Sequence, residues 1–143
     1  MRTLKVYLAA PYQMKDVIIA RAAELHACGI TVTSTWLEEP HSPSTGPNEL
    51  FAEKRQSYAI QDVNDVFAAD ILVFQDDPSI VRAGRHVEFG IAVAIGRTRP
   101  MPIFVIGSPA NIFHFLPQVY FFESWETTKN RLCELAGVAN IPS

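Results

Sequence analysis

The sequence predicts an α/β fold with a sheet of about five parallel strands covered by helices on both faces. Short apolar and β-branched runs alternate along the chain with longer segments of helical periodicity, which is typical of βαβ units. Right-handed crossovers then favour a doubly wound sheet, flavodoxin-like or Rossmann-like, and we expect the strand order 2-1-3-4-5. The 143 residues suffice for one buried core, so we assign 1–143 to a single domain.

In the first half of the chain, two strands flank a helix. The run 4–9 is short, apolar and followed by a proline, which predicts the first strand. Apolar residues recur at helical spacing from 14 to 28 and end at a glycine. The β-branched run 30–35 predicts the second strand. Three prolines and several small polar residues make 38–48 a loop, long enough to act as a lid or binding loop.

The second half continues the alternation, because each apolar run is bounded by turn residues and followed by a helical pattern. The predicted elements are a helix over 51–67, a strand over 70–74, a helix from the glycine at 84 to 95, a strand over 102–106, a loop over 107–117, a short strand over 119–122 and a helix over 123–135.

Composition excludes several classes of partner. The apolar fraction is 48%, the charged fraction 19% and the formal net charge -3, so the chain lacks the basic surface that binds nucleic-acid polymers or anionic membranes. No apolar run approaches the roughly 20 residues that span a bilayer, and the sequence begins directly with a strand. We therefore expect a soluble, cytoplasmic protein. We expect Cys28 and Cys133 to be buried thiols, with a disulfide as the alternative.

No cofactor or metal is expected. The four histidines are scattered, and neither an HExxH nor a CxxC spacing occurs. The first strand is not followed by GxGxxG, and GxxxxGK[ST] is missing, so the sequence supports neither a dinucleotide site nor a P-loop.

The most informative segment runs from Gly84 to Gly90. Its glycine-bearing turn leads into an apolar helical pattern and places Glu88 in the first helical turn, beyond a buried strand. The helix dipole would hold this acid ionised, and the mouth of a strand–loop–helix unit is where open α/β sheets bind ligands. Glu88 could therefore act as a nucleophile. The alternative is that Glu88 only favours its own helix.

The same crevice should receive side chains from the neighbouring strands. Tyr7 either packs in the core or orients Glu88 through its hydroxyl. Asp70 either reaches the pocket or serves a structural purpose, such as capping a helix end or pairing with an arginine. Asp76 either forms an Asx turn or contacts a polar heterocycle. Arg82 and Arg85 are either solvated or anion contacts.

Further binding residues are predicted from their place beside the crevice. Trp36 and Phe113 could stack on a planar base, although aromatic residues at such positions also pack in cores. The other predicted substrate contacts are Ala9, Pro11, Gly84 and Asn111.

Several of these motifs together resemble the nucleoside 2-deoxyribosyltransferase family and its relatives, the deoxynucleoside 5'-monophosphate N-glycosidases. The resemblance covers most of the chain, and its GxxxExG element is its most specific part. The matching segments are Lys5-Val6-Tyr7-Leu8-Ala9-Ala10-Pro11-Tyr12, Ala69-Asp70-Ile71-Leu72-Val73, Gly84-Arg85-His86-Val87-Glu88-Phe89-Gly90, and Ile106-Gly107 with Asn111-Ile112-Phe113-His114.

The resemblance implies a role for each matching residue. Glu88 would be the nucleophile that attacks the anomeric carbon of a 2-deoxyribosyl group, and Tyr7 would position it. Asp70 would protonate or hold the departing base. A neighbouring subunit would complete the pocket through Asn111, which implies a homo-oligomer. The small-molecule partners would be nucleosides or nucleotides and free nucleobases, with no cofactor or metal.

This sequence departs from the family pattern at two places. The transferases carry an acid six residues before the nucleophile, where this chain has Arg82. The monophosphate hydrolases follow the first strand with glycine-rich phosphate-binding residues, whereas this chain has Ala9-Ala10-Pro11-Tyr12. The second difference favours nucleosides. We retain two alternatives: an N-glycosidase that hydrolyses 5'-monophosphates, and a non-catalytic nucleotide-sensing module.

Overall fold

A computed structural model describes residues 2–39 and 49–139 of the protein. Most of the predicted loop 38–48 lies outside these residues. Within them, no helix is both long enough and apolar enough to cross a bilayer.

Five parallel strands form one sheet in the order 2-1-3-4-5, which confirms the predicted fold class and strand order. The central strands are buried on both faces, as expected for a parallel sheet between two helical layers. Tyr7 of the first strand lies beside Leu72 of the third, and Leu72 lies beside Ile103 of the fourth. The strands are β1 (Lys5–Ala9), β2 (Thr31–Val32), β3 (Ile71–Gln75), β4 (Ile103–Ile106) and β5 (Val119–Phe122).

The helices lie in the predicted parts of the chain, with small shifts at their ends. The helices are α1 (Lys15–Ala27), α2 (Glu49–Ala68), α3 (Gly84–Ile95) and α4 (Trp125–Ala139). Short 3₁₀ turns occupy Tyr12–Met14, Thr35–Glu38 and Ile112–Phe115.

The second strand is shorter than predicted, because side-chain hydrogen bonds pull the following residues into a 3₁₀ turn. Ser34 Oγ accepts a hydrogen bond from the Leu8 amide at 2.6 Å, and Trp36 Nε1 donates to the Leu8 carbonyl at 2.9 Å. The Thr35 amide donates to an Asp65 carboxylate oxygen of α2 at 3.0 Å. These bonds fix the turn against β1 and α2.

The two cysteines form a disulfide, so the expectation of two free thiols is wrong. Cys28 follows α1 and Cys133 lies in α4, and their Cα atoms are 5.6 Å apart. The bond is possible because α1 and α4 pack against each other. Since 105 residues separate the cysteines, only the folded chain reveals this proximity.

Candidate active site

A cavity of about 410 Å³ opens at the carboxyl ends of β1 and β3, where a doubly wound sheet is expected to bind its ligand. Its volume lies in the range of small-molecule sites. The described residues that line it are Ala10, Pro11, Tyr12, Trp36, Glu39, Asp62, Arg82, Ala83, Gly84, Arg85 and Glu88.

The phenol of Tyr7 and the carboxyl of Glu88 meet at this cavity. Tyr7 lies on β1 and is fully buried, and its hydroxyl donates a hydrogen bond to Glu88 Oε2. Burial raises the pKa of Tyr7 well above its ordinary value, and the nearby acids raise it further. The phenol therefore keeps its proton and serves Glu88 as a donor. Tyr7 both packs in the core and contacts the acid.

Glu88 is not held ionised by the helix dipole, contrary to the sequence-based expectation. The helix α3 begins at Gly84, so Glu88 is beyond the first turn, where the dipole acts. Burial raises its pKa to about 8, and the charges of Asp62 and Glu39 act in the same direction. The hydrogen bond from Tyr7 opposes this rise. Glu88 is therefore mostly protonated at neutral pH.

Asp62 of α2 is a second acid at the cavity, and the sequence did not reveal its role. Burial, assisted by the charge of Asp65, raises the pKa of Asp62 to about 7. Its Oδ1 is buried and has no hydrogen-bond partner among the described residues. The spacing of Asp62 and Asp65 places two acids on one side of a helix, which is the feature that could have identified them.

Glu39 is a third acid at the cavity, at the end of the turn Thr35–Glu38. The residue is only 5% exposed, and burial together with the charge of Asp62 raises its pKa to about 7. Its backbone carbonyl accepts hydrogen bonds from the Tyr12 hydroxyl at 3.0 Å and from the Lys15 ammonium group. The sequence placed Glu39 in a loop without assigning it a function.

Asp70 does not belong to this site, which corrects the predicted catalytic role. It immediately precedes β3, so it lies at the amino end of that strand, whereas Glu88 follows the carboxyl end. Its carboxylate pairs with Arg2 and accepts a hydrogen bond from the Lys5 amide at 2.9 Å. It lines a separate cleft together with Arg99. The structure therefore favours the alternative expected for Asp70, a structural pairing with an arginine.

Arg85 and Asp76 brace the loop between β3 and α3. The Arg85 side chain is buried, and its Nε donates to Asp76 Oδ1 at 2.7 Å. Its other nitrogens donate to the backbone carbonyls of Arg82 and of Ile80, the latter at 3.0 Å. Arg85 reaches the cavity wall, but each of its three guanidinium nitrogens already donates a hydrogen bond to the loop. Asp76 is committed to this ion pair and does not line the cavity among the described residues.

Of the other predicted contacts, four line the cavity with Glu88: Pro11, Trp36, Arg82 and Gly84. Ala9 does not, because the end of β1 is buried within the sheet.

Asn111 and Phe113 also lie away from this cavity. Asn111 precedes the exposed turn Ile112–Phe115, and its Oδ1 accepts a hydrogen bond from the Phe113 amide at 2.9 Å. The Phe113 side chain is exposed. Neither residue lines the cavity that contains Glu88.

No protein-family model and no curated protein matches the chain. Among solved structures, it is similar to a 2-deoxyribosyltransferase from Bacillus psychrosaccharolyticus, with a TM-score of 0.58 and 20% identity over 88% of this chain and 90% of that chain. It is also similar to a CMP N-glycosidase from Clostridium botulinum, with a TM-score of 0.56 and 16% identity over 90% of this chain and 97% of that chain. At these identities the likeness shows a shared fold.

Proposed function

We propose that this chain cleaves the N-glycosidic bond of 2'-deoxynucleosides and transfers the 2-deoxyribosyl group to another nucleobase. The observation that carries the proposal is the hydrogen bond from Tyr7 to Glu88 in a cavity that Asp62 also lines. The motif resemblance supports it, and so does the fold shared with two enzymes named for deoxyribosyl transfer and N-glycoside cleavage.

In the first half-reaction, a carboxylate oxygen of Glu88 attacks the anomeric carbon of the deoxyribosyl group. The bond from that carbon to the base nitrogen breaks, and its electron pair goes to the base. Asp62 donates its proton to the departing base, replacing Asp70 in the role that the resemblance implied. The transition state resembles an oxocarbenium ion, so positive charge develops beside Glu88 and favours its ionised form. The product is a glycosyl ester of Glu88.

In the second half-reaction, a nitrogen of a new nucleobase attacks the anomeric carbon of the ester. The ester bond breaks, Glu88 leaves as a carboxylate, and Asp62 takes up the proton that the acceptor base loses. Two displacements give net retention at the anomeric carbon. If water replaces the acceptor base, the same steps release free deoxyribose and the enzyme acts as a hydrolase.

The charge of the cavity favours nucleosides over their 5'-monophosphates. Three acids, Glu39, Asp62 and Glu88, line it, and Arg85 is already bound to its own loop. The reaction needs Glu88 ionised, and a phosphate group nearby would oppose that ionisation, whereas an uncharged nucleoside would not. Arg82 also lines the cavity, so a 5'-monophosphate substrate is the alternative to be tested in parallel.

We also propose that two copies associate through the face beside Asn111. Phe113 and Phe115 are exposed there, and Tyr120 and Phe121 are exposed on β5, the edge strand of the sheet. Covering such apolar side chains is a common purpose of dimer interfaces. A second copy on this face would bring Asn111 to a neighbouring pocket. Sedimentation of wild type and of Phe115→Asp tests this proposal; a fully active wild-type monomer would contradict it.

A mechanism-based label tests the covalent step. Protein incubated with a 2-fluoro-arabinosyl nucleoside should gain the mass of the fluorinated sugar, and peptide mapping should place it on Glu88. The Glu88→Gln variant should stay unlabelled. A label elsewhere, or release of base without any ester, would refute the role of Glu88.

A second assay separates transfer from hydrolysis. Deoxyadenosine and free cytosine are incubated with the protein, and the products are separated by chromatography. Deoxycytidine supports transfer, whereas free deoxyribose supports hydrolysis. Deoxyribose 5-phosphate formed from a deoxynucleotide would support the monophosphate alternative. Binding without turnover of any substrate would favour a sensing module.

A further inference from the structure

Glu39 lines the cavity but has no part in the proposed transfer. It is one of the few buried charged side chains, and its Oε1 has no hydrogen-bond partner among the described residues. Leaving a buried polar atom unpaired is energetically costly, so such atoms are rare unless a ligand or water satisfies them. The position of Glu39 therefore indicates a polar group of the substrate.

Glu39 is also held rigidly in place. Tyr12 and Lys15 both donate hydrogen bonds to its backbone carbonyl. The turn before it is tied to Leu8 of β1 through the side chains of Ser34 and Trp36. A carboxyl fixed at its backbone is suited to recognising one substrate group, because little conformational freedom is lost on binding.

The neighbours of Glu39 place it on the nucleobase side of the cavity. The rings of Trp36 and Tyr12 line the cavity beside Glu39, with their centroids 6.1 Å apart. They offer flat surfaces for a base. Asp62 lines the same cavity, and its charge raises the pKa of both Glu39 and Glu88, so the three acids lie near one another. Glu88 attacks the sugar from the face opposite the departing base. In the proposed reaction the base takes its proton from Asp62, and the rings with Glu39 form the wall suited to hold it.

We propose that Glu39 binds the exocyclic amino group of the nucleobase and makes the enzyme prefer amino-bearing bases, adenine and cytosine, over their oxo counterparts. This inference rests on the proposed function. A carboxyl can accept a hydrogen bond from an amino group whether or not it is ionised. An oxo group at the same position accepts hydrogen bonds, as the ionised carboxylate of Glu39 does, so the two cannot bond to each other. Only the protonated carboxyl can donate a hydrogen bond to the oxo group.

The preference should therefore depend on pH. Burial raises the pKa of Glu39 to about 7, so below that pH its proton can bind an oxo group, and above it that option is lost. The preference for amino-bearing bases should grow as pH rises through about 7. The titratable and charged groups that line the cavity with Glu39 or influence its charge are Tyr12, Lys15, Asp62, Asp65, Arg82, Arg85 and Glu88.

Two matched substrate pairs test the inference. Deoxyadenosine and deoxyinosine, and likewise deoxycytidine and deoxyuridine, differ by an amino or oxo group at one ring position. At about pH 8 we expect kcat/KM to favour the amino member about tenfold or more, since a well-placed contact to a base edge discriminates on that scale. In Glu39→Gln the ratio should fall to within about twofold and lose its pH dependence, because an amide offers both a donor and an acceptor.

Glu38→Gln is the matched control, because the same substitution is made at an adjacent, exposed residue outside the cavity. It should keep the wild-type ratios. If Glu39→Gln does not fold, Glu39→Asp withdraws the carboxyl by one methylene group and should weaken the preference. Equal ratios for wild type and either Glu39 variant would overturn the inference, and so would a wild type without preference.

Binding of free bases separates this inference from the proposed function. Titration calorimetry of the Glu88→Gln variant with adenine against hypoxanthine, and cytosine against uracil, needs no turnover. Suppose that the amino bases bind more tightly, that this preference depends on Glu39, and that the wild type cleaves no nucleoside. That result would support base recognition by Glu39 and refute the proposed transfer. Cleavage of all four nucleosides at equal rates would refute Glu39 and leave the transfer standing.

Discussion

Replacing Tyr7 by phenylalanine should change how the rate depends on pH. The substitution removes the hydrogen bond from the phenol to Glu88 and leaves the packed ring in β1. The reacting form needs Glu88 ionised and Asp62 protonated. Because the pKa of Glu88 is about 8 and that of Asp62 is about 7, this form is a minority at every pH. In wild type, log kcat/KM should rise to pH about 7, stay level to about 8, and then fall.

The size of the change follows from the lost bond. A hydrogen bond to a charged group contributes about 1.5–3 kcal/mol, and one pKa unit corresponds to about 1.4 kcal/mol. The bond favours the ionised carboxylate, so its loss should raise the pKa of Glu88 by about one to two units. The plateau of kcat/KM in Tyr7→Phe should then extend to pH about 9–10 and lie about ten- to a hundredfold below that of the wild type. Far above that pH the two proteins should converge.

The assay is kcat/KM for base exchange across this pH range, with Tyr120→Phe as the control. Tyr120 does not line the cavity, and phenylalanine keeps the apolar ring that the proposed dimer face would cover, so loss of the hydroxyl alone should leave the profile unchanged. A Tyr7→Phe profile that is lower by one factor at every pH would refute the reasoning, because a packing defect lowers the rate without moving the alkaline break.

Three other changes test the remaining assignments. Asp62→Asn removes the general acid, so it should slow base release about 10²–10⁴-fold and abolish the alkaline fall of kcat/KM. The rate should decrease less for substrates whose base is a better leaving group. Asp70→Asn should keep kcat/KM within about twofold and lower stability by less than about 1 kcal/mol, because its contact with Arg2 is at the surface and outside the cavity. The folded protein binds protons on Glu39, Asp62 and Glu88 more tightly than the unfolded chain does. These acids therefore contribute stability that is fully present below about pH 4 and is lost as pH rises to about 8. The Tm from calorimetry should therefore fall between about pH 5 and pH 8.5, and fall less in Glu39→Gln; a Tm that rises over this interval would contradict the buried acids.

The sheet and one side of the site could be predicted from local sequence. The apolar runs around Leu8 and Leu72 specify buried parallel strands, and their alternation with helices fixes the strand order. Tyr7 and Glu88 could be brought together because one lies in β1 and the other follows β3. Asp70 was misplaced because it also adjoins β3, but a residue before a parallel strand lies at the opposite edge of the sheet from one after it.

The acids Asp62 and Glu39 could not be found in the same way. Several sides of α2 carry charged residues, so the side facing the cavity depends on how the helix is rotated against the sheet. Glu39 is buried only because the side chains of Ser34 and Trp36 bind β1 and draw the turn inward. These contacts depend on tertiary packing, which no residue spacing encodes.

The bond between Cys28 and Cys133 closes most of the chain into a covalent ring. A protease that cuts one peptide bond anywhere inside this ring leaves both fragments in a single molecule. Such a nicked protein should run as one band on a denaturing gel, and separate into two only after a reductant is added. Most of the cavity-lining residues lie within the ring, so a single cut there need not release them from one another.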